Sequence, residues 1–283
     1  MPELPEVEIT ARRLGAAVSG IEVESALAPG INALKTFDPP LTALGGRELT
    51  GVGRRGKMLV VEAADDLRVL VHLMSAGRLQ LWDTRASLRD RTSRLLLRFT
   101  DGRELRLREF GTKQRAWVKL LRGDTEVDAD EAVATLGPEA WPDPPPDFGA
   151  LLAQSRPLHG LLRDQRVIAG IGRSWVDEIL WSAELSPFKR GEDLDSDEAT
   201  RLRAAVVGEL GRALAHYEEV VALPIPDKLP LPLRVHRKQG DACPRCGDRI
   251  EAVFYEDYVM CYCPRDQTGG KLLKDRRLSR LLK

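Results

Sequence analysis

The chain has 283 residues, and its 43 Lys plus Arg are balanced by 43 Asp plus Glu, so no global excess of charge points to a polyanion partner. That length suits one large or two modest domains with a sizeable core. The N-terminus lacks the apolar run of a signal peptide or a membrane span, so a soluble, cytoplasmic protein with no membrane partner is expected.

The first expected segment, residues 1–122, opens MPELPEVEITARRLG. Val7, Ala11, Leu14 and Val18 recur at helical spacing, which predicts a helix starting near Pro2 or Glu3. Pro2 and Pro5 fit a first turn, where no backbone donor is needed. Strand-like stretches follow. LRVLVHL alternates in part, and SRLLLRFTDGRELRLREF reads as two strands joined at Asp101-Gly102. This segment should be mostly β, a sandwich or a barrel.

Residues 123–147 are acidic and proline-rich and read as a linker. Residues 148–225 read as helical. Leu202, Val206, Leu210 and Leu214 step by four, with Asp195 or Ser196 as the cap and acids in the first turn. Upstream, Gly170 and Gly172 interrupt a pattern that Trp175, Ile179 and Leu180 resume. The last segment, residues 234–283, is locally basic, with 12 Lys/Arg against 7 Asp/Glu, a net of +5. It holds all four cysteines, between Cys243 and Cys263, and in a cytosolic chain that clustering points to metal before disulfides.

The opening stretch carries a chemical possibility. A proline exposed by removal of Met1 presents a secondary amine, and an ordinary α-amine has a pKa near 8, so a useful fraction is neutral at physiological pH. Such an amine can attack an electrophilic sugar carbon and form an iminium. Glu3 lies beside it and Glu6 one turn on, where carboxylates can shuttle protons. By themselves the same residues also describe an ordinary helix start, with acids complementing the N-terminal dipole.

MPELPEVE at the start, Lys57 in GVGRRGKMLVV, Arg108 to Gly111 in LREFG, AGIG in the middle and the cysteine cluster at the end occur in one order. That order resembles the formamidopyrimidine-DNA glycosylase / endonuclease VIII family of base-excision repair enzymes over nearly the whole chain. The resemblance implies an α+β multidomain fold: an N-terminal β-sandwich with a leading helix, a helix–two-turns–helix domain, and a C-terminal zinc-ribbon-like hairpin. Damaged double-stranded DNA would lie across the cleft between domains, bound by a monomer working at the nucleoid.

The resemblance makes Pro2 the nucleophile at C1′, Glu3 the acid/base for ring opening and base loss, Glu6 its supporting carboxylate, and Lys57 a strand lysine holding phosphate. Backbone cleavage by β- and δ-elimination would follow. The target nucleotide must be flipped out, at a cost of a few kcal/mol. Phe110 would wedge into the void and Arg108 face the orphaned base. The family's third filler is the methionine of HLGMSG. Here the text is HLMSAG, which puts Ser75 at that place and Met74 one residue early.

Other departures concern phosphate contacts. The usual GIGN is GIGR, so Arg173 takes the asparagine's place and Trp175 that of a tyrosine. Arg173 can hold phosphate by charge-assisted bonds, with Gly170 and Gly172 letting backbone amides approach. His159 stands where a lysine near phosphate is common, or is an ordinary surface residue. Tyr258 replaces the hairpin arginine five residues before the third cysteine. Lys271, Lys274, Arg276, Arg277 and Arg280 either supply phosphate contacts or form a solvated face.

Cys243-Pro-Arg-Cys246 is a zinc knuckle, and sixteen residues separate Cys246 from Cys263, as in the family's ribbon. The expected final cysteine falls on Asp266. One structural Zn2+ is expected on Cys243, Cys246, Cys263 and either Asp266 or Cys261; a ribbon folded without metal is the other option.

Three functional readings stay open: a bifunctional glycosylase and AP lyase for oxidised or ring-opened purines, the same machinery for oxidised pyrimidines or abasic sites, and a paralogue that binds damaged DNA without cleaving it.

Overall fold

A computed structural model describes residues 2–30 and 32–274. The first helix, α1 (Leu4–Val18), buries Leu4, Val7, Ala11, Leu14 and Val18, the stripe expected from their spacing. Eight strands follow: β1 (Val23–Leu27), β2 (Leu49–Arg55), β3 (Met58–Ala63), β4 (Leu67–His72), β5 (Gly77–Trp82), β6 (Ser93–Phe99), β7 (Glu104–Glu109) and β8 (Trp117–Arg122). They form two antiparallel four-stranded sheets, ordered β1-β6-β7-β5 and β2-β3-β4-β8, which make a β-sandwich. The hairpin expected at Asp101-Gly102 joins β6 to β7, with Gly102 at a φ of 92°, a conformation glycine adopts without a Cβ clash. Leu95, Leu97, Phe99, Leu105 and Leu107 are fully buried, so the sandwich has a dry interior. Arg54 on β2 ties the helix to the sheet through Glu8 at 2.7 Å.

Within the acidic stretch lie α2 (Gly123–Ala129) and α3 (Glu131–Ala134), the latter capped by the Asp130 side chain accepting from the Ala132 N–H. Next come α4 (Phe148–Leu152), α5 (Leu158–Arg163), α6 (Arg173–Ser182) and the 25-residue α7 (Ser196–Val220). Asp195 caps α7 reciprocally: its Oδ1 accepts from the Glu198 N–H at 2.8 Å, while its own N–H donates to Glu198 Oε2 at 3.1 Å. The chain ends in a hairpin, β9 (Glu251–Phe254) with β10 (Val259–Tyr262), followed by α8 (Pro264–Thr268).

Two compact units result. One comprises Met1–Thr135 with Leu214–Pro230, the other Leu136–Ala213 with Leu231–Lys283. No helix among the described residues is long and apolar enough to cross a membrane.

Candidate functional site

The N-terminal residues are fixed by one helix cap. Glu3 is the N-cap of α1, in extended geometry, and Glu6 is the third residue of the helix. Glu6 Oε2 accepts from the Glu3 N–H at 2.7 Å, and the Glu3 side chain accepts from the Glu6 backbone. Glu6 Oε1 accepts from the Tyr217 hydroxyl at 2.8 Å. Glu3, Glu6 and Tyr217 are all buried, and Pro2 is half-buried beside them. Two buried carboxylates next to Pro2 are thus held in one geometry. Tyr217 was not foreseen, because it only continues the apolar stripe of α7, three residues after Leu214. Met1 lies outside the described residues.

Glu8, two residues beyond Glu6 and about 100° round the helix from Val7, secures α1. Burial alone would raise its carboxyl, but hydrogen bonds and charge from Arg12 and Arg54 outweigh that and hold it below the usual range.

Lys57 was expected on a strand. It sits instead in the two-residue turn between β2 and β3, after Gly56 at a φ of 55°. His72, at the end of β4, accepts a hydrogen bond at Nδ1 from the Met74 N–H at 2.9 Å. A backbone N–H can only donate, so this imidazole is neutral with its proton on Nε2. Burial and the nearby Lys57 charge keep its pKa below the ordinary histidine range, which agrees with that tautomer. Met74 has a φ of 50° and is half-buried, while Ser75 is exposed.

Arg108 packs against two aromatic rings. Its guanidinium lies 4.6 Å from the Phe110 ring centre and 5.3 Å from that of Trp82. Asp227, on the segment after α7, approaches Arg108 Nη1 at 3.9 Å. Gln80 and Arg78 on β5 donate to the backbone carbonyls of Ile225 and Asp227, which docks that segment. Trp82 and Asp227 were not foreseen, because each is distant in sequence from LREFG.

In the second unit, Gly170 holds a φ of 107° and Gly172 is the N-cap of α6, so Arg173 starts the helix. Arg173 is paired with Asp257 at the tip of the β9–β10 hairpin, through both the carboxylate and the backbone carbonyl. Tyr258, next to it, stacks on Tyr255 with ring centres 4.3 Å apart and lies 5.7 Å from His159. His159 is no surface residue: it is buried against Asp177, its Nε2 3.3 Å from Oδ1 but without hydrogen-bond alignment. Asp177 also accepts from His236 Nδ1 at 2.7 Å and from the Cys261 N–H at 3.0 Å. Its neighbour Glu178 accepts the backbone N–H groups of Arg234, Val235 and His236. These two carboxylates on α6 therefore hold the cysteine-bearing segment to the helical part. Lys271 and Lys274 are exposed, and Arg276, Arg277 and Arg280 lie outside the described residues.

Cys243, Cys246, Cys263 and Asp266 converge, with all four ligand atoms within 4.8 Å of one another. The Cys246 and Cys263 sulfurs are 3.5 Å apart, and Cys243 Sγ is 3.3 Å from Asp266 Oδ2. A tetrahedron with metal–sulfur bonds of about 2.3 Å has edges of about 3.8 Å, so the cluster could hold a metal ion. Burial and the neighbouring sulfurs push the Cys263 thiol up to about 12, and a shared cation is what lets such crowded sulfurs ionise together. Cys261 is not part of the cluster; its sulfur accepts from the Arg237 N–H at 3.3 Å instead. Cys263 lies past the end of β10, as the N-cap of α8, so strand alternation does not carry it to the same side as Cys261. All four cysteines are free thiols.

The geometry agrees with the comparisons. Residues 1–113 match the formamidopyrimidine-DNA glycosylase N-terminal domain, and residues 146–223 match the formamidopyrimidine-DNA glycosylase H2TH domain. A formamidopyrimidine-DNA glycosylase of Latilactobacillus sakei is 31% identical over 94% of this chain and 98% of its own. One from Moorella thermoacetica is 33% identical over 89% and 94%. Among solved structures, a Lactococcus lactis Fpg complex with DNA containing an abasic site superposes with a TM-score of 0.82 at 25% identity, covering 94% of this chain and 99% of that one. Sandwich, H2TH domain, cysteine cluster and sequence all lead to one conclusion: the chain belongs to the formamidopyrimidine-DNA glycosylase family.

Proposed function

We propose that this chain is a bifunctional DNA glycosylase and AP lyase that removes oxidised or ring-opened purines from duplex DNA in the cytoplasm. The observation that carries the reading is the half-buried Pro2 beside the Glu3–Glu6–Tyr217 arrangement. The likeness to formamidopyrimidine-DNA glycosylases of Latilactobacillus sakei and Moorella thermoacetica supports it.

With Met1 removed, the Pro2 nitrogen attacks C1′ of the flipped nucleotide, and the departing base takes the bonding electrons. Glu3 is placed to protonate the sugar ring oxygen as the ring opens, leaving an iminium between Pro2 and C1′. Glu6, held by Tyr217, fixes the Glu3 backbone and so the direction of its carboxylate. Proton abstraction from the iminium then allows β- and δ-elimination of the flanking phosphates. Lys57, Arg173 and the backbone at Gly172 would hold phosphate, while Met74, Arg108 and Phe110 would occupy the void. Cys243, Cys246, Cys263 and Asp266 would hold one structural Zn2+. Such a closed four-ligand site braces the hairpin and takes no part in bond breaking.

Borohydride trapping on duplexes carrying 8-oxoguanine, an oxidised pyrimidine or an abasic site tests the reading. Covalent capture on the purine lesion is expected. Pro2→Gly should weaken it, and Glu3→Gln should slow base removal by about 10²–10⁴-fold while sparing DNA binding. Base removal by Glu3→Gln at the wild-type rate would overturn the role of Glu3. Active protein still carrying Met1 would overturn that of Pro2.

A further inference from the structure

We infer that Arg163 is a phosphate-contacting residue of the DNA interface, presented by the ring of Tyr258. The inference rests on the proposed reading for the identity of the ligand, a DNA backbone. Its grounds lie in the second unit alone.

Arg163 is the last residue of α5, and its guanidinium lies 4.2 Å over the Tyr258 ring. That ring is itself backed by Tyr255 at 4.3 Å, so the platform beneath the cation is two rings deep. The neighbouring arginines are neutralised: Arg156 by Asp164, Arg190 by Glu192, and Arg173 by Asp257. Arg163 is not. Among the described residues it has no carboxylate partner, and none of its guanidinium N–H groups makes a hydrogen bond. The side chain is half-buried, yet no guanidinium nitrogen is a buried unpaired atom, so its five donors face solvent and are open to an acceptor from outside.

Stacking covers a face of the guanidinium and leaves its edge, the part that pairs bidentately with phosphate. The ring also restrains the side chain, so little freedom is lost on binding. Arg173, at the start of α6, lies 5.4 Å from the same ring, so two cations share one aromatic surface. Asp257 offsets the charge of Arg173, which leaves Arg163 as the net positive charge of the group. The hairpin position that carries no cation, Tyr258, thereby acts as the mount for one that comes from α5.

The test is the salt dependence of affinity for a duplex containing tetrahydrofuran, an uncleaved abasic analogue, using the full metal-replete chain. Each phosphate contact contributes about 0.9 to the slope of log affinity against log salt. Arg163→Gln is expected to lower that slope by about 0.9, so its affinity falls about 3.5-fold less than wild type's between 50 and 200 mM salt. Arg163→Lys should keep the slope, because the charge remains. Tyr258→Phe should match wild type, and Tyr258→Ala should weaken binding toward the level of Arg163→Gln. A wild-type slope in Arg163→Gln overturns the inference. So does a loss of affinity in Arg163→Gln that is equal at every salt concentration, or one that Arg163→Lys fails to restore, since either marks a packing role. Borohydride capture by the wild type reports separately on Pro2: its failure with the slope change intact removes the catalytic reading and leaves Arg163 standing.

Discussion

His72 shows how one side chain can set a local conformation. Its Nδ1 accepts from Met74, which holds the left-handed turn at Met74. A protonated imidazole has no acceptor, so acid removes this bond. Burial and the charge of Lys57 depress the folded-state pKa, whereas the unfolded chain protonates near the ordinary value of about 6.5. The unfolded state therefore binds more protons below that pH, and stability falls as pH drops through about 6.5. His72→Gln, which does not titrate, is expected to flatten the dependence of Tm on pH between about 7 and 5. An unchanged pH profile in that variant would show that other groups set it. Nothing in HLMSAG reveals this bond, because it depends on the turn that the histidine itself stabilises.

At the scale of elements, the α1 stripe, the β6–β7 turn and the leucine stripe of α7 were legible, since each is a local period or a turn residue. The carboxylates of α6 were not. Nothing in the sequence singles out Asp177 and Glu178, yet both are fully buried, because the segment at 234–236 and Cys261 bring donors to them. Sequence spacing could also not choose between Asp266 and Cys261 as fourth ligand. Geometry favours Asp266, so zinc content should separate the two. About one zinc per chain is expected for wild type and Cys261→Ala, with Asp266→Ala losing metal to a chelator at far lower concentration. Equal retention by all three proteins would leave Asp266 out of the ligand set. Trp181 gives a convenient optical signal, because its Nε1 donates to Cys243 Sγ at 3.4 Å.

At the scale of the molecule, the compact units are not contiguous in the chain. Residues 214–230 belong with the sandwich, although the helix that leads into them starts in the other unit. A reading made along the chain cannot see this return, because α7 has one unbroken periodicity from Leu202 through Leu214. The boundary at Ala213–Leu214 falls inside a continuous helix, and Ala213 is fully buried. Proline there would remove the hydrogen bond to the carbonyl of Glu209 and clash with it, costing about 3 kcal/mol or more. Because one continuous helix contributes residues to both units, Ala213→Pro should lower amide-exchange protection in the β-strands of the first unit and in α6 of the second together. Metal removal should act differently, loosening amides around β9 and β10 while the strands of the sandwich keep their protection. Hydrogen exchange read by mass spectrometry distinguishes the two patterns. Protection lost from one unit alone in Ala213→Pro would mean that the halves of α7 are stabilised independently, each by its own packing.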